Sequence, residues 1–180
     1  MTDLFKSDLF RYYGSKKETL KQKLFRPKEL KYILLYRKCR NTKNKFLKIY
    51  YVYKLRMLQQ KAGVQIPYKT EIGKGFYIGH ANNIVINPNA KIGNNVNVAQ
   101  GVTIGQENRG SRMGSPVIGD KVWIGANSVI VGNITIGDDV MIAPLTFVNF
   151  DVPNHSIVIG NPAKIIHKDN ATEDYINRTV

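Results

Sequence analysis

Few side chains in this 180-residue sequence are suited to proton or acyl chemistry near neutral pH: three histidines and one cysteine. Cys39 lies in a Lys/Arg-rich stretch remote from any glycine-bearing motif, and a single cysteine excludes an internal disulfide and fits a reducing compartment. His155 follows Asp151-Val152-Pro153-Asn154, and His167 opens a polar tail. His80 is set differently, within Gly75-Phe76-Tyr77-Ile78-Gly79-His80-Ala81-Asn82-Asn83-Ile84-Val85-Ile86. There a regular spacing of aliphatic residues slips by two, and Phe76 and Asn82 stand where small or β-branched residues recur elsewhere. Local rules break most often at functional or strained sites. A neutral imidazole can take the proton of an attacking hydroxyl, general base catalysis worth about 10²–10⁴-fold.

The spacing that slips is the frame of the molecule. Ile66, Ile72, Ile78 and Ile84 are six residues apart; after Ile86 the period resumes through Ile92, Val98 and Ile104, and it returns at Ile118, Ile124, Ile130, Ile136, Ile142 and Val148. Six fits neither the helical period nor the strand period. Four places after these residues come Thr70, Ala90, Val96, Val102, Val122, Ser128, Ile134, Val140, Thr146 and Val152. Two inward positions per repeat predict short strands joined by turns, in coils that bury their apolar side only by stacking. Glycine directly follows many of the aliphatic positions, as in Ile72-Gly73 and Ile118-Gly119, which predicts corners with positive φ.

Charge divides the chain. Eighteen of its 27 Lys and Arg fall in residues 1–61 against four carboxylates, leaving nine of each sign for the remainder. Residues 1–61 read as helical: Asp3–Tyr13 broken by Gly14-Ser15, a helix opened by Pro27, and Lys43–Lys61 after Asn41-Thr42. Leu47, Tyr50, Tyr51, Leu55 and Leu58 form one apolar stripe, expected to dock on the coil. Eight extra residues between Ile104 and Ile118 predict a protruding loop, 106–115. Residues 168–180 read as a tail loosely held at its end. With no signal-peptide pattern and no long apolar run, a cytoplasmic location is expected.

The repeat, with Gly101-Val102-Thr103-Ile104-Gly105, Val122-Trp123-Ile124-Gly125-Ala126-Asn127 and Gly160-Asn161-Pro162-Ala163-Lys164-Ile165, resembles the hexapeptide acyltransferases. The His80 segment is similar to the histidine-bearing coil of serine acetyltransferases and capsule-type sugar O-acetyltransferases. The resemblance implies a mainly β protein: a left-handed parallel β-helix over residues 62–167 behind a basic α-helical segment, 1–61. The handedness comes from the family alone, because ordinary parallel crossovers are right-handed. It also implies a homotrimer, acetyl-CoA as co-substrate in a groove between coils, no metal, and His80 as general base. Ala126, Pro144 and Asn149 would line the pantetheine channel, Gly105 would offer an N–H to the developing oxyanion, and Lys164 would meet a CoA phosphate. Phe150 either packs on the adenine or plugs the coil end.

Departures from the serine enzymes point to a different acceptor. Gln65 stands where they have an Asp that orients the histidine, Gly79 where an Asp precedes it, and Ser115 where the long loop carries a second histidine. The remaining polar set, Asn82, Asn83, Glu107, Arg112 and Ser115, suits a polyhydroxylated acceptor, so the sequence predicts a sugar O-acetyltransferase of surface-polysaccharide synthesis, with serine as the alternative acceptor. A metal hydratase on the same coil would need three convergent histidines, which the positions of His155 and His167 do not offer. No nucleic-acid motif accompanies the basic arm, so no nucleic acid is expected; its interleaved aromatics predict contact with an anionic membrane surface.

Overall fold

A computed structural model describes residues 3–180. The aliphatic period becomes a three-sided parallel β-helix of about five turns. One face stacks strands Val64–Gln65, Ile84–Ile86, Thr103–Gly105, Val129–Val131 and Phe147–Val148. A second stacks Glu71–Ile72, Lys91–Ile92, Val117–Ile118 and Thr135–Ile136. The third stacks Tyr77–Ile78, Asn97–Val98, Val122–Ile124 and Val140–Ile142, then Ser156–Gly160 with Ala163–His167 folded antiparallel on it. All inter-coil pairings are parallel and in register, as in Ile78 opposite Val98 opposite Ile124. Every residue of the six-residue period is buried, and so is every small residue four places later.

The corner glycines are required for a different reason from the one the sequence predicts. Gly73, Gly93, Gly119 and Gly137 do not have positive φ; successive coils approach so closely there that a Cβ on Gly93 would lie 2.5 Å from Gly119 O. Positive φ falls two residues further on, at Gly75, Asn95, Lys121 and Asp139. The same corner carries a ladder of side-chain acceptors. Asn94 Oδ1 accepts from Lys74 N–H, Asp120 Oδ1 from Asn94 N–H, Asp138 Oδ1 from Asp120 N–H, and Asn154 Oδ1 from Asp138 N–H.

A parallel coil leaves the backbone groups of its first turn unpaired, a liability that must be covered. Here the helical segment covers them. It comprises α1 (Asp3–Tyr13), α2 (Leu20–Leu24), α3 (Lys28–Asn41, with Pro27 as its N-cap) and α4 (Lys45–Ala62, ended by Gly63 in the left-handed region). The Tyr32 hydroxyl donates to Ile66 O and accepts from Ile66 N–H, and Tyr12 does the same at Ile78. Arg37 donates to Ile72 O and Gly73 O, Arg11 to Gly75 O, and Tyr36 and Arg40 to Thr70 O. Asp8 accepts from Phe76 N–H while both its oxygens receive Arg37, a pair with side chains almost fully buried. Several cations and tyrosines of the basic arm are therefore coil caps.

The apolar stripe foreseen on the last helix docks only in part. Leu55 is buried and Tyr51 and Leu58 pack partly on the core, but Leu47 and Tyr50 remain exposed, because α4 lies on α3 and only its C-terminal half meets the coil. The tail departs from expectation too. Asp139 accepts from Ala171 N–H and from Thr172 N–H and Oγ1–H, Tyr175 packs on Trp123 with ring centroids 4.9 Å apart, and Val180 exchanges two hydrogen bonds with Asn95. Asp139 and Asn95 thus supply acceptors, and Asn95 and Asn97 amide donors, that hold residues 171–180 along the third face. No helix among the described residues is long and apolar enough to cross a membrane.

Candidate active site

His80 leaves the coil where the third face turns into the first. That turn is two residues longer than its counterparts, so it bulges and exposes the imidazole. Gly79 N–H still donates to Val98 O and Ile84 N–H to Gly63 O, while Ala81 is buried and anchors the bulge. Asn82 O accepts from Gly101 N–H, Gln100 O from Asn127 N–H, and Ala126 O from Leu145 N–H, so the later turns stack beneath His80 in order.

A groove of about 280 Å³ runs down this corner, lined by His80 at one end, by Tyr77, Gln100, Trp123 and Ala126 along it, and by Pro144 at the other. His80, Ala126 and Pro144 are therefore brought together on one groove of the chain. Asn82 and Asn83 are exposed on the same turn, Asn83 with φ of 49°. Sequence reasoning missed Tyr77, Asn97 and Trp123. Each precedes a buried aliphatic residue on its strand and stands opposite the next in register, so they form an outward ladder spaced by whole coils.

The other named residues lie elsewhere. Gly105 ends a first-face strand, and the 106–115 loop that follows connects the first face to the second, at a different corner from His80. The loop is closed by paired hydrogen bonds between Glu107 and Gly114; Arg112 Nε lies 3.8 Å from Glu107 Oε2, and Ser115 Oγ–H donates to Asn87 Oδ1 at 3.1 Å. Asn149 follows a first-face strand and so turns toward that same corner, and neighbouring Phe150 packs on the core. Lys164 is exposed on the terminal antiparallel strand of the third face. The residues named from sequence thus fall on two different corners of the coil and on its terminal strand.

Cys39, His155 and His167 lie outside this groove. Cys39 is buried, and burial pushes its thiol up to about 11. His155 Nδ1 lies 2.9 Å from Asp139 Oδ2 at the end of the coil. Burial alone would raise the Asp139 carboxyl, but hydrogen bonds from Thr172, His155 and the Ala171 amide hold it below the ordinary range. His167 is exposed, 3.7 Å from Asp169.

The family described as Bacterial transferase hexapeptide (six repeats) matches residues 115–149. Serine acetyltransferase 2 of Arabidopsis thaliana is 41% identical over 104 residues, which are 58% of this chain and 32% of that protein; the chain thus spans about a third of the relative's length. The crystal structure of Neisseria gonorrhoeae serine acetyltransferase in complex with serine superposes with a TM-score of 0.74 at 31% identity, covering 91% of this chain and 67% of that one. A serine acetyltransferase in complex with CoA gives a TM-score of 0.74 at 29% identity, covering 91% of this chain and 68% of that one.

These relatives overturn the sugar acceptor, and polysaccharide synthesis with it: the chain is similar to enzymes named for serine. Of Gln65, Gly79 and Ser115, only Gly79 lines the groove that holds His80. Ser115 is bonded to Asn87 at the first-to-second corner and does not share a groove with His80, so its identity does not describe the surroundings of that histidine within one chain.

Proposed function

We propose, from the premise that this chain belongs to the hexapeptide-repeat acyltransferases and resembles the serine acetyltransferases, that it transfers an acetyl group from acetyl-CoA to the hydroxyl of L-serine. The observation that carries this reading is the groove joining exposed His80 to Ala126 and Pro144, on a chain that superposes on serine acetyltransferases bound to serine and to CoA. Neutral His80 removes the serine Oγ proton as that oxygen attacks the thioester carbonyl carbon. The C–S bond breaks, CoA leaves as thiolate, and the imidazolium returns the proton to sulfur. Transfer is direct: among the described residues no Cys, Ser, Thr or Lys side chain lines the groove, and His80 is assigned to the proton.

The pantetheine arm would run past Ala126 and Pro144 along the Trp123 wall. A homotrimer completes the site: the 106–115 loop, Gly105 and Asn149 of one copy would face the His80 corner of the next, supplying Glu107, Arg112 and Ser115 to the acceptor and the Gly105 N–H to the oxyanion. Lys164 would meet a CoA phosphate as a mobile point charge. Purified protein given acetyl-CoA and L-serine should release free CoA thiol and O-acetylserine in equal amounts. Thiol release without acetylserine, or neither product, would reject serine as the acceptor.

A further inference from the structure

The turn bearing His80 is held from outside the coil. Between Gly79 and Ile84 no backbone N–H of the bulge donates to a backbone carbonyl, because the two extra residues have left the inter-coil ladder. Two side chains of the helical cap take its place. The Tyr12 hydroxyl of α1 binds both polar groups of Ile78, and Glu29 Oε1, in the first turn of α3, accepts from Ala81 N–H at 3.0 Å. Gly79 and His80 lie between these two clamps.

Most other cap contacts serve strands or corners that carry no reacting group. Tyr32 on Ile66 and Arg37 on Ile72 and Gly73 close edges of the first coil away from the groove. Glu29 alone reaches past the third-face strand into the bulge, and it is half-buried, so its carboxylate is held against the turn. We infer that Glu29 is a positioning residue, fixing the backbone of His80 so that the imidazole meets the acceptor hydroxyl; this rests on the acetyl-transfer reading given above. The role belongs to the acceptor oxygen and not to the charge, which gives it a distinctive signature.

Three variants separate the possibilities. Glu29→Ala should lower kcat for serine acetylation by roughly 10- to 100-fold, the loss expected of a small misplacement of a reacting group, with KM for acetyl-CoA within about twofold of wild type. Glu29→Gln keeps an oxygen for Ala81 N–H and should restore most of the rate. Tyr32→Phe removes a comparable cap contact far from His80 and should cost stability while leaving kcat near wild type. Full kcat in Glu29→Ala, a Gln variant as slow as the Ala variant, or an equal kcat loss in Tyr32→Phe would each overturn the assignment. Amide hydrogen exchange provides a readout independent of substrate: the peptide spanning residues 78–83 should exchange faster in Glu29→Ala and unchanged in Tyr32→Phe. Wild type inactive on serine would reject the acceptor reading, whereas unaltered exchange in Glu29→Ala would reject the clamp.

Discussion

His80 illustrates what single residues disclose. Its place in the slipped repeat was visible in sequence, since a break in an otherwise regular period needs no alignment to be seen. Trp123 was not visible in the same way: its partners Tyr77 and Asn97 recur by coil, and coil length is uneven because one turn carries the 106–115 insertion. Trp123 forms the broad apolar wall of the groove, so Trp123→Ala should raise KM for acetyl-CoA by roughly tenfold, about 1.4 kcal/mol. An unchanged KM would remove Trp123 from the binding path. Asp139 carries a second residue-scale prediction. Its folded-state pKa is depressed, so the stabilisation is present above the unfolded value of about 3.9 and is lost as pH falls through the folded value. Urea midpoints measured from pH 6 down to pH 3 should therefore fall, and less steeply in Asp139→Asn, which retains only the neutral acceptor.

Among the elements, the cap matters most. Gly14, Pro27 and Asn41 announced where helices break and begin, and the helices occur there. Their task was hidden, because which side chain meets which backbone group of the first coil is decided by docking, not by local pattern. Arg37 and Asp8 are the deepest part of that docking. Arg37→Ala strands a buried carboxylate and two backbone carbonyls, and it should destabilise the protein by about 3–5 kcal/mol, as breaking a buried ion pair does. A chemical denaturation curve checks it, and a loss below about 1 kcal/mol would mean water replaces the guanidinium. The glycine corners teach a related lesson. Sequence marked the right positions, yet the reason is coil-to-coil approach, which a one-dimensional period does not express.

For the whole molecule, one chain presents its histidine at one corner and its long loop at another. If the working site spans two copies, chains defective in different halves should rescue each other. Mixing His80→Ala chains with chains lacking residues 108–112, by co-expression or by unfolding and reassembly, should yield trimers with activity well above either parent. Activity equal to the sum of the parents would confine the site to a single chain.

His80 as general base for direct acetyl transfer from acetyl-CoA to serine is tested by one paired measurement: acetylserine formed by wild type and by His80→Ala, quantified by mass spectrometry at saturating substrates. Wild type should form acetylserine steadily, and the variant should show a kcat at least about 10²-fold lower with acetyl-CoA binding retained. A folded His80→Ala protein that keeps most of the wild-type rate, or a wild type that acetylates other hydroxyls while leaving serine untouched, would contradict it.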